Sequence, residues 1–152
     1  MKPYILAIDQ STQGTKGVVF DGEGTLLARA DRPHAQKIDA NGWVEHDPRE
    51  ILQNTLAVAR AALEKAGVDP ADLAAVGISN QRETVLAWDK TTGQPLYNAI
   101  VWQCGRAKDL CARLADAAPM VRQKTGLPLS RYFSAPKLAW MLELIPAGRQ
   151  AA

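Results

Sequence analysis

The run Asp9-Gln10-Ser11-Thr12-Gln13-Gly14-Thr15-Lys16 gathers a carboxylate, several hydroxyls, a glycine and an ammonium into one short segment. Tyr4 to Ile8, before it, is apolar and reads as a buried strand, so Asp9 falls at a strand end with a small polar turn behind it. Turns of this kind line up backbone N–H groups into concave anion sites, and hydroxyls add donors for phosphate oxygens. Asp9 suits a hydrated Mg²⁺, an ion that keeps several waters and needs only one or two carboxylates. Lys16 suits the offset of phosphate charge as it develops during transfer. The same residues also suit an ordinary hairpin carrying a surface acid.

A second group is Asn80-Gln81-Arg82-Glu83-Thr84, just past an apolar run at residues 73–79 (LAAVGIS). Open α/β sheets place ligands at strand ends. An adjacent Arg and Glu offer donors and acceptors that could grip neighbouring hydroxyls of a polyol, and such sites discriminate strongly because a missing hydroxyl leaves buried polar groups unpaired. The alternative is a surface ion pair of little energetic value. A third group surrounds Trp102, which follows the apolar residues 99–101 and suits either a flat wall against the carbon face of a ligand or a place in the core. Tyr132 and Phe133 sit near an expected helix start and suit packing or contact equally.

The elements that position these groups can be read from pattern. Residues 4–9, 16–20 and 25–30 read as three strands, and Asp21-Gly22-Glu23-Gly24 is a hairpin signal, giving a three-stranded antiparallel meander. Residues 31–46 read as a loop with Pro33, Asn41-Gly42 and Trp43. The strongest helix follows, with Asp47 as cap, Pro48 in the first turn and Glu50 closing a capping box. Leu52, Leu56, Ala59 and Leu63 form its expected buried stripe, and Gly67 its left-handed end. Residues 73–79 read as a strand buried on both faces. Residues 84–88 and 99–102 read as further strands around the turn at 89–95, and residues 106–117 and 135–144 as helices. An antiparallel meander leading into a right-handed crossover gives an α/β architecture, a mixed sheet flanked by helices. That order is compatible with the ribonuclease H-like, or actin-like ATPase, fold and with other α/β folds.

Composition narrows the class. A net charge of +2, from 18 Lys and Arg against 16 Asp and Glu, is too balanced to mark a nucleic-acid or membrane surface. The N-terminal apolar stretch is cut short by Asp9, so no signal peptide is expected, and no run of 18 apolar residues suggests a membrane span. Cys104 and Cys111 lie about two helical turns apart, too far for an easy disulfide. A soluble, cytoplasmic protein with reduced cysteines is the expectation.

Taken together, the segments resemble one family. Asp9 to Lys16 (DQSTQGTK) resembles the first phosphate loop of the FGGY carbohydrate kinases. GWVEHDP (from Gly42), GISNQRET (from Gly77), YNAIVWQC (from Tyr97) and RYFSAPK (from Arg131) resemble successive blocks of the glycerol kinases within that family, in order and at compatible spacing. The likeness covers residues 4 to about 144, and NQRET with AIVWQC carries most of its specificity. Xylulose-type relatives tend to carry Gln-Met-His-Gly where this chain has Gln81-Arg82-Glu83-Thr84, and Asp at the position of Cys104. Departures are Ser11 where Gly is usual, Gln13-Gly14-Thr15-Lys16 in place of Thr-Ser-Ser-Arg, and Gly105 in place of Arg.

The resemblance implies the actin-like ATPase fold, with residues 1–152 forming the N-terminal part of the family's N-terminal domain. It implies ATP and Mg²⁺ as cofactors. Asp9, Ser11, Thr12, Gln13 and Lys16 would stand on the nucleotide side, with Asp9 meeting Mg²⁺ through water. Arg82 and Glu83 would bind the hydroxyls of a small polyol, glycerol first, with Trp102 as apolar wall and Tyr132 as a further contact. The implied partner is a small polyol or sugar, neither nucleic acid nor membrane, with a homo-oligomer left open for the complete enzyme. The family's catalytic base is an aspartate in a later Gly-Asp-Gln block. This sequence contains no such block, so the base is expected beyond Ala152, together with the second phosphate loop and the adenosine pocket. Residues 145–152 carry no end signal and read as cut, and the chain alone is expected to be inactive. Alternatives are an FGGY kinase for a ketose such as xylulose, a non-catalytic protein of actin-like fold, and a ribonuclease H-like nuclease. The last needs several acids around paired metals, and only Asp9 is well placed.

Overall fold

The short apolar runs in the first thirty positions fold as strands whose burial alternates along the chain. A computed structural model of the protein describes residues 3–144. The expectation of a cut end at residues 145–152, and that of a catalytic base beyond Ala152, both lie outside the described residues. Strands β1 (Tyr4–Gln10), β2 (Gly14–Phe20) and β3 (Leu26–Pro33) form the expected antiparallel meander. Two short strands follow, β4 (Lys37–Ile38) and β5 (Val44–His46). Helix α1 (Pro48–Ala66) then leads to β6 (Leu73–Asn80), which pairs parallel with β1, giving a mixed sheet of order β3-β2-β1-β6. Residues 3–35 and Arg49–Gln81 make up this first unit.

Its core joins Leu6 and Ile8 of β1, Val19 of β2 and Ala30 of β3 to Val58, Ala62 and Leu63 of α1. Two expectations change here. The buried face of α1 is Asn54, Val58, Ala62 and Leu63, while Leu52 and Leu56 are exposed. The second half of the expected stripe holds, with Leu63 buried and Ala59 packed against the core, and only the first half is displaced. Asn54 turns inward because its amide donates to Pro33 O (2.9 Å) and meets His34 Nδ1 (3.1 Å), so a polar residue holds a core position. Glu50 accepts the Ala35 N–H (3.0 Å) and so ties that loop to the first turn of α1. Gly67 has φ +66, the left-handed end expected of it, with Val68 N donating to Leu63 O.

The second concerns β6: among the described residues its one strand neighbour is β1, and there Val76 is 52% and Ile78 67% exposed where burial on both faces is expected.

Gln36–Pro48 and residues 82–144 form the second unit. Residues 31–46, expected as loop, thus extend β3 to Pro33 and supply β4 and β5, which join β7 (Ala99–Ile100) in the order β4-β5-β7. Residues 84–88 do not form a strand; they reach only the isolated bridges Val85 to Ile100 and Trp88 to Pro95. The helix expected at 106–117 is α2 (Lys108–Arg113) with a 3-10 turn after it. An unexpected α3 (Ala118–Thr125) follows, and α4 (Ser134–Leu144) begins one residue before the expected start. The core of this unit is Val44, Val85, Ile100, Val101, Cys104 and Met141.

Beside that core, Arg106 is buried with its guanidinium 4.6 Å from the ring centres of Trp43 and of Trp140 and paired with Glu45 Oε1 at 2.5 Å. A planar, weakly hydrated cation between aromatic faces is the arrangement a guanidinium tolerates and an ammonium does not. Burial pushes the Glu45 carboxyl up, but Arg106 and the Asn98 amide hold it below the ordinary glutamate range.

Candidate functional site

The β1–β2 ladder sets Asp9 opposite Lys16. Lys16 Nζ donates to Asp9 Oδ2 at 2.8 Å, and Ser11 Oγ donates to the same oxygen at 2.9 Å. The Lys16 contact first, and the Ser11 hydroxyl second, hold the Asp9 carboxyl below the usual aspartate range. The pair is half-exposed, so its charges stay accessible. Both contacts fall on Oδ2 and leave Oδ1 out of the pair. The turn itself is closed by Ser11 N donating to Gly14 O (2.9 Å). Gly14 has no room for a side chain, since a Cβ there would fall 2.5 Å from Arg32 O.

Behind the turn lies a buried polar group that sequence reading missed. His34 Nε2 meets Thr15 Oγ1 at 2.9 Å and Gln10 Nε2 at 3.2 Å, while its backbone N–H donates to Gln13 O. Gln10 Nε2 also donates to Ser11 O at 3.0 Å. The turn that carries Ser11, Thr12 and Gln13 is therefore backed by fixed polar contacts. Pattern gives no sign of it: His34 falls in the stretch read as loop, and Asn54 lies off the stripe expected of α1.

The second unit gathers the other candidates. Trp102 and Tyr132 meet edge to face, with ring centres 5.7 Å apart, and Tyr132 meets Phe133 at 5.2 Å. Trp102 N donates to Thr84 Oγ1 at 3.4 Å, which places Trp102 next to the Arg82-Glu83-Thr84 segment. Arg82 is exposed and has no ion pair or hydrogen bond among the described residues. Glu83 is half-buried, and its backbone has φ +65, the one positive φ at a non-glycine among the described residues. A side chain held there costs about 1–3 kcal/mol unless its surroundings fix it, and such strain collects at ligand-handling positions. What fixes it is Ser134, whose N–H and Oγ both donate to Glu83 Oε2 at 2.7 Å.

Lys137, one turn into α4, is fully buried and donates to the carbonyls of Tyr132 and Phe133. Burial pushes its ammonium below the ordinary lysine range, and the Glu83 charge opposes that. Neither Ser134 nor Lys137 stands out from sequence as a site residue, although a lone lysine inside the apolar run at 135–142 is a visible signal.

Residues 4–152 match the family model for the FGGY family of carbohydrate kinases, N-terminal domain. The chain belongs to the FGGY family. Among FGGY relatives, the glycerol kinase of Methylorubrum extorquens is 53% identical over 100% of this chain, which covers 31% of that protein. The structure of Plasmodium falciparum glycerol kinase with ADP superposes with a TM-score of 0.87 at 38% identity, over 97% of this chain and 30% of that one. A ligand-bound xylulose kinase from Lactobacillus acidophilus has the same TM-score of 0.87 at 24% identity, over 98% of this chain and 30% of that one, and so shares the fold. The chain thus spans about 31% of the length of the curated relatives it matches. The mixed sheet flanked by helices is the actin-like ATPase architecture of the FGGY kinases. No helix among the described residues is long and apolar enough to cross a membrane.

Proposed function

We propose that the protein phosphorylates a small polyol, glycerol first, with Mg·ATP as phosphoryl donor. What supports this reading is the strained Glu83 held by Ser134, with Arg82 beside it in sequence, and Trp102 meeting Thr84 and Tyr132, all in one unit of an FGGY chain. A carboxylate and a guanidinium on adjacent residues match vicinal hydroxyls, while an indole and a phenol offer the carbon chain an apolar wall and one further hydroxyl contact.

On the nucleotide side, Ser11, Thr12 and Gln13 line the β1–β2 turn, where hydroxyls and backbone N–H groups suit phosphate oxygens. Lys16 supplies positive charge there. Among the described residues no cluster of three or more His, Cys, Asp or Glu could enclose a metal. A hydrated Mg²⁺ needs only one or two carboxylates, and Asp9 offers Oδ1 while Oδ2 is held by Lys16 and Ser11. Bound Mg·ATP would supply the transferable γ-phosphoryl group and neutralise its charge. The proton of the attacking hydroxyl would go to an aspartate beyond Ala152, so residues 1–152 by themselves are not proposed to turn over substrate.

The substrate is tested with the protein produced from its own gene in its source cell. ATP-dependent phosphorylation is measured against glycerol, xylulose and gluconate. A higher kcat/KM for glycerol is expected; preference for a ketose would move the reading to the xylulose-type kinases. Steady turnover by the purified 152-residue chain would overturn the proposed inactivity.

A further inference from the structure

We propose that Ser134 is a positioning residue for the polyol site: it holds the strained Glu83 carboxylate in the orientation that receives substrate hydroxyls. The inference rests on the polyol-kinase reading and extends it to a residue argued to act through Glu83.

Glu83 departs from ordinary backbone geometry, with φ +65, and a glutamate has enough rotatable bonds to escape such a position unless it is held. Its holder is specific. Ser134 opens α4, so its backbone N–H is one of the helix donors with no partner inside the helix. That N–H and the Ser134 hydroxyl donate to one oxygen, Oε2, each at 2.7 Å, which are short charge-assisted bonds. Because both converge on Oε2, Oε1 keeps its lone pairs for a ligand. Two donors on one atom also fix the plane of the carboxylate far better than one.

The segment that carries Ser134 is itself braced. Lys137 is fully buried, and its ammonium donates to the carbonyls of Tyr132 and Phe133. A buried cation that satisfies two consecutive carbonyls locks the backbone turn leading into α4. The short stretch 132–137 therefore carries a candidate hydroxyl contact (Tyr132), the holder of the acidic ligand (Ser134) and the brace for both (Lys137). Tyr132 also meets Trp102, so a loosened segment would disturb the apolar wall together with the acid. Binding that depends on fixed acceptors is sensitive to this kind of loosening, whereas nucleotide binding, assigned to the β1–β2 turn, is not.

The test is steady-state kinetics on the protein produced from its own gene, comparing wild type with Ser134→Ala and Ser134→Thr, glycerol and ATP varied separately. Ser134→Ala keeps the N–H and loses the hydroxyl; Ser134→Thr keeps both. The expected result is a glycerol KM raised roughly five- to twentyfold in Ser134→Ala, an ATP KM within about twofold, an unchanged thermal midpoint, and restoration by Ser134→Thr. An active wild type whose glycerol KM does not respond to Ser134→Ala would overturn the inference alone. Parallel changes in both KM values with a lowered midpoint would assign Ser134 a merely structural role and overturn it as well. A wild type that phosphorylates no polyol would overturn the kinase reading, and the inference with it.

Discussion

Lys16 Nζ stands 2.8 Å from Asp9 Oδ2, and the two residues are direct partners across the β1–β2 ladder. Strand register thus brings opposite charges together at the mouth of a polar turn, and Ser11 adds its hydroxyl to the same carboxylate oxygen. One oxygen is committed within the protein and the other stays outside the pair.

The pair has a pH signature. The folded Asp9 pKa lies below the unfolded value of about 3.9, so its contribution to stability is present above that value and fades as pH falls through the folded one. Both side chains are more than a third exposed, so solvent screening keeps the contribution small at neutral pH. Lys16→Ala is expected to move the Asp9 titration upward, read by carbon NMR of its carboxyl group. An unmoved titration would show that Lys16 does not hold the acid in solution.

Arg106 and Glu45 are the opposite case, a buried pair. Removing one partner leaves an uncompensated charge, which costs about 3–5 kcal/mol. Glu45→Gln and Arg106→Met are each expected to lower stability by about that much in urea unfolding. Arg106→Lys is expected to fail too, because an ammonium cannot stack between Trp43 and Trp140 as a guanidinium does. A loss under about 1 kcal/mol for all three would contradict the buried geometry.

The inward face of α1 can be checked by a paired truncation. Val58 is 1% exposed and Leu56 47%. Val58→Ala is expected to cost about 2 kcal/mol, and Leu56→Ala less than about 0.5 kcal/mol, although Leu loses more atoms. The reverse order would restore the stripe expected from periodicity.

The turn at Gly14 gives a steric test. Gly14→Ala would place a Cβ 2.5 Å from the backbone carbonyl of Arg32, which cannot swing aside as a side chain could. Destabilisation of about 1–3 kcal/mol is expected by thermal or urea unfolding. A neutral substitution would show that β3 yields at this point.

Local pattern makes the meander legible, because short apolar runs and the turns between them, Asp21 to Gly24 above all, mark its strands. What escapes are features decided by distant partners. Residues 73–79 announce a strand but not its parallel pairing with β1, which residues far back in the chain decide. The short strand β5 depends on pairing with β7, far along the chain, and β4 in turn depends on β5. Helix α3 lacks an apolar stripe, although Pro119 and the left-handed Gly126 mark its two ends. The candidate site divides in the same way. Asp9, Lys16, Arg82, Glu83 and Trp102 stand out by residue type and spacing. Ser134 and Lys137 act through hydrogen bonds to Glu83, Tyr132 and Phe133, and no residue type announces such a partnership.

The most direct test of the polyol reading is kcat/KM for glycerol in wild type, Arg82→Ala and Glu83→Gln, measured on the protein produced from its own gene with the ATP KM recorded beside it. Each variant is expected to lose roughly 10- to 100-fold in kcat/KM for glycerol, the worth of about one charged hydrogen bond, while the ATP KM stays within about twofold. Variants that phosphorylate glycerol as well as wild type would contradict the assignment of these two residues to the substrate hydroxyls.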